Sequence, residues 1–386
     1  MKYAVPEHIR GILKKLNSVG YDAYIVGGCV RDMVMGRTPH DWDITTSAPC
    51  EKVRGIFERT APTGIKYGTV TVLFPEGEAQ VTTFRADGDY HNGRSPDSVE
   101  FLSSLNEDLA RRDFTVNAMA MDSGGRITDL FGGMEDIENG IIRCVGDPET
   151  RFREDALRIM RGLRFSAQLG LGIEEKTYEA MRLCAGMVYT LSGERMRDEI
   201  EKILLSERPE TLNDAADMGL LKRHLPCAVF DNLRRAGELP ADREMRWTAM
   251  CASAGLSEIP EALRMDGKTS SRVRDALKIA SDFAEADVSA QYLLTVYGSE
   301  TLLCASAADY MRGGANHVEW MRAATDGEPV KLAVNGGDIS LLCGARGREI
   351  GALIDKLLRH VCEKTDENER DRLIYLAKKW LEEERE

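Results

Sequence analysis

Tyr24-Ile25-Val26-Gly27-Gly28-Cys29-Val30-Arg31-Asp32, followed by His40-Asp41-Trp42-Asp43-Ile44-Thr45, is the stretch from which the rest of the chain can be read. An apolar strand runs into a Gly-Gly turn, and an arginine-bearing helix opens. A second strand then delivers two carboxylates at i and i+2, which the period-2 pleat points to one face. Glycines such as Gly28 let backbone N–H groups approach a phosphate, the helix N-terminus adds partial positive charge, and Arg31 can bind phosphate oxygens bidentately. Asp41 and Asp43 supply hard oxygen ligands for Mg²⁺. Together they suit a nucleoside triphosphate and its metal. Each half also has an ordinary reading, since Gly-Gly is common turn chemistry and Asp-x-Asp is common on solvated surfaces.

At 386 residues the chain exceeds one core and implies two to four structural units. Charged residues make up 30% and hydrophobic ones 43%, an ordinary composition for a soluble protein. There is no signal-type apolar stretch at the N-terminus and no run of the ~20 apolar residues a membrane span needs, so a cytoplasmic protein without membrane association is expected. Nine cysteines without a C-x-x-C pair indicate neither a disulfide framework nor a zinc site. A net charge of −13 runs against long, non-specific tracking along nucleic acid. Arginines nevertheless gather at positions 151, 153, 158, 161 and 164, while acids crowd Leu381-Glu382-Glu383-Glu384-Arg385-Glu386. One recognised substrate on a local basic face fits that distribution.

The first ~140 residues alternate strand and helix signals. Helices are expected at Pro6–Leu16, Val30–Met35 and Glu51–Phe57, and strands at Ala23–Val26, Asp41–Thr45, Thr69–Phe74 and Gln80–Arg85. Ala118–Asp122 and Arg126–Asp129 form a hairpin across Ser123-Gly124-Gly125. After Asp147-Pro148 the pattern turns helical at Glu149–Gln168, Glu174–Cys184, Gly193–Leu205 and Pro209–Met218. Beyond Pro226 it is helical but irregular. A last pair, Gly347–Glu363 and Asp366–Glu383, follows an Asn335-Gly336-Gly337 turn.

Two further motifs carry signal: Arg111-Arg112-Asp113-Phe114-Thr115-Val116-Asn117-Ala118, and the run Arg151-Phe152-Arg153-Glu154-Asp155-Ala156-Leu157-Arg158 that continues through Arg161 and Arg164 to Phe165. With the first, and in this order, they resemble the class II tRNA nucleotidyltransferases, the CCA-adding enzymes, and their relatives the bacterial poly(A) polymerases. The likeness is dense from about Tyr21 to Leu204, thin through the middle, and returns in Leu332–Ile339 and Gly347–Gly351.

The resemblance implies an α+β protein: a polymerase-β-like nucleotidyltransferase head, a small mixed sheet with helices, followed by an all-α neck, body and tail. The expected divisions are 1–147 for the catalytic head, 148–205 for a neck that recognises the nucleotide base, 206–325 for the body and 326–386 for a tRNA-binding tail. Implied substrates are CTP, ATP and the tRNA 3′ end; the cofactor is Mg²⁺ on Asp41 and Asp43, and a homodimer is left open. Arg112 would contact the nucleotide with Asp113 near its ribose, and Arg161 and Arg164 would neutralise triphosphate or orient the base-reading pair. Relatives usually carry a third acid where this chain has Gln80, an amide that can ligate magnesium without adding charge. The polar segment Arg85–Pro96 matches a loop kept by members that add the terminal adenosine.

On a helical projection, Ala156, Met160, Leu163 and Ala167 form a buried stripe, with Asp155, Arg158 and Gly162 together outside it. Alone, Asp155 and Arg158 would make an i,i+3 ion pair on a solvated helix. Beside the other motifs they can serve as a protein template. Aspartate accepts from an exocyclic amino group and arginine donates to a ring nitrogen or carbonyl, which suits cytosine or adenine and opposes guanine and uracil. Arg195 and Glu199, at i and i+4, would brace the neck helix as an ion pair. The expected activity is template-independent addition of C, C and A by two-metal nucleotidyl transfer. The alternatives are a poly(A) polymerase, an A-adding or CC-adding tRNA enzyme, and a catalytically inactive RNA-binding relative.

Overall fold

The apolar run Ala23–Val26 folds as strand β1 and stops at Gly27, where φ is +78° and ψ −136°, a conformation open only to glycine. The chain then enters helix α2 (Gly28–Val34) and returns antiparallel to β1 as β2 (Asp43–Thr46). This is a computed structural model, and it describes residues 3–87, 99–101, 104–225, 229–284 and 288–383. The chain divides into two units: Met1–Ile203 with Thr211–Pro226, and Leu204–Glu210 with Cys227–Glu386.

In the first unit, β1 and β2 are joined by β3 (Thr60–Gly64), β4 (Thr69–Phe74) and β5 (Gly77–Thr83). A short pair, β6 (Arg85–Asp87) and β7 (Val99–Phe101), precedes the hairpin of β8 (Met119–Met121) and β9 (Ile127–Asp129). The main sheet has the order β3-β4-β5-β2-β1-β8-β9, with β2 and β5 parallel and every other neighbouring pair antiparallel. Helices α1 (Glu7–Ser18) and α3 (Cys50–Ile56) pack on one face, where Ile9, Leu13, Val53, Val70, Val81 and Trp42 share a core. Edge strand β3 was not foreseen: Thr-Ala-Pro-Thr-Gly has no apolar alternation, and Pro62 is tolerated because an edge strand needs fewer N–H donors.

Helices α4 (Leu105–Ala110) and α5 (Gly133–Glu138) flank the second motif, and a two-residue pair, β10 (Ile141–Ile142) with β11 (Gly172–Ile173), leads into the helical part. The single helix expected over 149–168 is two helices, α6 (Pro148–Glu154) and α7 (Leu157–Leu169). Asp155 causes the break. Its backbone is extended, and its carboxylate accepts the Leu157 N–H at 3.0 Å, a side-chain contact that competes with the helix. Helices α8 (Glu175–Leu183), α9 (Gly193–Leu204) and α10 (Thr211–Asp217) complete the helical part; Leu204, the last residue of α9, is counted with the second unit.

The second unit is helical among its described residues. Helix α14 (Ser299–Arg312), rich in Ala and Ser, is packed by α11 (Arg243–Ser253), α12 (Gly267–Asp282), α13 (Ala290–Tyr297) and α15 (His317–Asp326). Arg246 is buried there with no carboxylate; its guanidinium donates to the carbonyls of Leu239, Pro240 and Leu204 at 2.7, 2.9 and 3.0 Å. Helices α16 (Gly336–Cys343), α17 (Arg348–Glu363) and α18 (Arg370–Glu383) bury Ile339, Leu357, Leu373 and Ala377 in a cluster of their own. The expected Asn335-Gly336-Gly337 turn is a capping box on α16, Asn335 and Asp338 each accepting the other's N–H.

Candidate active site

Eight of the ten sequence-predicted site residues line one cavity of about 670 Å³ in the first unit: Gly28, Arg31, Asp43, Arg112, Asp113, Asp155, Arg158 and Arg161. Its volume lies in the ~300–1,000 Å³ range of small-molecule sites. Seven arginines face three aspartates in its lining, so a chain of net charge −13 concentrates positive charge at one place.

The head wall is set by backbone. A Cβ on Gly27 would lie 2.9 Å from Arg112 Nη1, so both its positive φ and the close approach require glycine. Arg31 is held by Asp32 at 2.8 Å and Asn117 at 2.7 Å. Asp43 opens β2 and is the register partner of Gln80 on β5, so the two line the cavity side by side. Burial raises the Asp43 carboxyl above the usual carboxylate range; Arg112 opposes this and Asp41 adds to it. Asp41 lies two residues before β2 in an exposed bend, so the pleat expected to align the pair covers Asp43 alone. Asp41 is not among the cavity residues.

The second motif sits beneath. Asp108, fully buried, accepts from Arg111 at 3.1 Å and Arg112 at 3.3 Å. Burial alone would raise its carboxyl, but the two guanidiniums outweigh it and hold it low. Arg112 Nε is buried without a hydrogen-bond partner, so this guanidinium gains from a small shift toward an anion. Burial likewise opposes ionisation of Asp113, and Arg161, at 2.6 Å, overcomes it and keeps the carboxylate charged. Phe114 and Val116 are fully buried.

The helical wall departs most from the sequence reading. Met160, Leu163, Ala156 and Ala167 are buried as projected. Gly162 is not outside this stripe: a Cβ there would meet Met181 Cε at 2.2 Å and Phe114 Cζ at 2.9 Å, so its absence lets α7 seat against both. Arg158 is also buried, and the i,i+3 pair with Asp155 does not form because Asp155 stands outside α7. Asp155 instead meets Arg195 at 3.0 Å, and Arg158 meets Glu154 at 2.6 Å. Arg195 and Glu199, both on α9, find other partners than the bracing pair expected: Glu199 takes Arg164 at 2.6 Å and Arg195 takes Asp155. Arg164 lies outside the cavity lining and stacks over Phe165 at 4.0 Å from the ring centroid. Asn117, Phe165 and Arg195 line the cavity and were not assigned to it from sequence; the available signal was that Asn117 stands in the second motif and Phe165 at the end of the third.

Chemically, the cavity can hold an anion on its arginines, a cation at its carboxylates, and a base edge at Asp155 and Arg158. Asp41 raises the Asp43 carboxyl, and the like charges of such a pair favour a bound cation; Asp43 and its register partner Gln80 offer oxygen donors of the kind a hard divalent ion takes. No group of three His, Cys, Asp or Glu placed to hold a metal occurs among the described residues.

Residues 23–143 match the family model described as the poly A polymerase head domain, and residues 170–230 match the probable RNA and SrmB-binding site of polymerase A. The head is shared between activities, so full-length relatives decide. The CCA-adding enzyme of Geobacillus kaustophilus is 39% identical over 385 residues, 95% of each chain, and that of Ligilactobacillus salivarius is 35% identical over 96% of each. The chain belongs to the CCA-adding enzymes. It is a nucleotidyltransferase with a polymerase-β-like head and a largely helical remainder. The crystal structure of the Bacillus stearothermophilus CCA-adding enzyme in complex with CTP superposes with a TM-score of 0.84 at 34% identity, covering 98% of both chains. A Thermotoga maritima CCA-adding enzyme complexed with tRNA shares the fold, with a TM-score of 0.70 at 21% identity. Among the described residues no helix is long and apolar enough to cross a membrane.

Proposed function

We propose that the chain completes the 3′ end of tRNA with C, C and A, with Asp41 and Asp43 as the catalytic carboxylates and Asp155 with Arg158 as the template. The observation carrying this assignment is that Asp43 and the Asp155/Arg158 pair line one cavity, so a single nucleotide can reach both. Backbone N–H groups after Gly27, with Arg31 and Arg112, receive the triphosphate; Asp113 and Arg161 flank the ribose. Asp155 and Arg158 read the base edge, and each must shift from its partner, Arg195 or Glu154, to do so. Mg²⁺ bound by Asp41 and Asp43 would supply charge neutralisation at the α-phosphate and activate the attacking hydroxyl. The reaction forms a bond between the tRNA 3′-oxygen and the α-phosphorus and breaks the bond to pyrophosphate. All eight described cysteines are free thiols, which supports a cytoplasmic setting.

The expected loop over Arg85–Pro96 lies largely outside the described residues, so full CCA addition is tested directly. Purified protein is incubated with tRNA ending at the discriminator base, tRNA ending in CC, or an unrelated short RNA, and products are resolved on single-nucleotide gels. CTP alone should add two residues to the first, ATP alone one to the second, and both nucleotides three to the first. Long adenosine tails on the unrelated RNA would overturn the proposal in favour of a poly(A) polymerase.

A further inference from the structure

Three cations share one aromatic ring at this cavity. The guanidinium carbons of Arg164, Arg161 and Arg31 lie 4.0, 5.3 and 5.6 Å from the centroid of Phe165. Like charges so close repel, and each is drawn to an acid of its own: Glu199 for Arg164, Asp113 for Arg161 and Asp32 for Arg31, at 2.6, 2.6 and 2.8 Å. The ring is what the three have in common. It is 6% exposed, lines the cavity with Arg31 and Arg161, and meets the fully buried Phe114 edge to face at 5.8 Å and 79°. Arg31 belongs to the first motif, Phe114 to the second, and Arg161, Arg164 and Phe165 to the third, so all three motifs meet on this ring.

From this arrangement we infer that Phe165 is a positioning residue, whose ring face holds the Arg31 and Arg161 guanidiniums in the places where one meets the triphosphate and the other the ribose. It acts through those arginines and not by contact with the nucleotide. This rests on the reading of the cavity as a nucleotide seat and deepens it.

Hydrogen bonds fix the edge of a guanidinium, and stacking fixes its plane. Arg161 donates to Asp113 through Nε and Nη2, at 2.7 and 2.6 Å, and Arg31 donates to Asp32 through the same two atoms, at 2.9 and 2.8 Å. In both, an acid holds the edge and the ring is left to hold the plane. The face of an aromatic ring is the negative part of its quadrupole and attracts a cation within about 6 Å of the centroid. The crowding it relieves is felt by Arg164: burial holds that guanidinium below its ordinary value, Glu199 opposes this, and the Arg161 charge adds to it. An aliphatic side chain would fill much of the same space and offer no such face. The guanidiniums would then spread, and an arriving ligand would have to gather them at a cost in affinity.

The test uses full-length protein with Mg²⁺ and reads the binding of CTP and of inorganic pyrophosphate by titration calorimetry, alongside CTP incorporation into tRNA ending at the discriminator base. Phe165→Leu should weaken CTP about tenfold, and pyrophosphate, which has no sugar or base to touch the ring, about threefold. The KM for tRNA should stay within about twofold. Replacing Phe165 by 4-fluoro-, 3,5-difluoro- and 3,4,5-trifluorophenylalanine drains the negative face at nearly constant shape. Each fluorine should weaken both ligands about 1.5-fold, with the melting temperature held within about two degrees. The fluorinated series decides the outcome if Phe165→Leu does not fold. Equal affinities across that series would mean that the ring only fills space, and unchanged pyrophosphate binding beside weakened CTP would mean that it stacks on the nucleoside; either result overturns the inference. Failure of wild type to extend any tRNA overturns the CCA-adding reading instead, since the calorimetry needs no turnover.

Discussion

The two walls of the cavity are built by different physics. On the head side, Gly27 and Asp43 are placed by backbone: a positive φ, a strand end and a parallel register. On the helical side, Asp155, Arg158 and Arg161 are placed by ion pairs with Arg195, Glu154 and Asp113, and Arg164 behind them by its pair with Glu199. A backbone-set wall is the same for every nucleotide. A wall held by exchangeable charge pairs can be re-paired, which the proposed reading of cytosine and then adenine by Asp155 and Arg158 requires. Phosphate chemistry is invariant across the reaction, and base recognition is not.

The sharpest way to break this contrast is Asp43→Asn. It should lower kcat by about 10³-fold or more while leaving the melting temperature within a few degrees, since the carboxylate acts on the reaction rather than the fold. Single-turnover incorporation of CTP measures the first, and calorimetry the second. Next in size is Glu199→Gln, which leaves the largely buried Arg164 without its counter-charge and should cost about 3 kcal/mol of stability by denaturant titration. A loss below about 1 kcal/mol would mean that the helical wall is not held by charge. Asp155→Asn should reduce the preference for CTP over UTP by about tenfold in kcat/KM, with total turnover less affected.

The smallest effect is in pH. Asp108 and Asp113 are held below the ordinary carboxylate range, so their contribution to stability is fully present above that range and is lost as pH falls through it toward their folded values. Hydrogen exchange on acidification should therefore lose protection in α4 and α7 before β1 and β2. Simultaneous loss across both walls would erase the distinction.

The head was legible because its signals are local. The apolar runs Ala23–Val26 and Thr69–Phe74 became strands with those bounds, and three motifs far apart in sequence meet in one cavity. What escaped was decided between elements. Edge strand β3 carries a proline and no alternation, so nothing within it announces a strand. Spacing alone pairs Asp155 with Arg158 and Arg195 with Glu199. In the fold, each acid instead finds an arginine from another helix, because a tertiary neighbour at 3 Å outcompetes an exposed pair worth a few tenths of a kcal/mol. The break at Asp155 escaped as well, because aspartate occurs both within helices and at their starts, and only its backbone shows which.

Trp42 stands between Asp41 and Asp43, the aspartates proposed as catalytic, its indole in the head core and its carbonyl accepting the Gln80 N–H at 2.9 Å. The other three tryptophans, Trp247, Trp320 and Trp380, all belong to the second unit. Replacing those three with phenylalanine would leave one fluorophore, and its emission would follow cation or nucleotide arrival in real time without any attached dye.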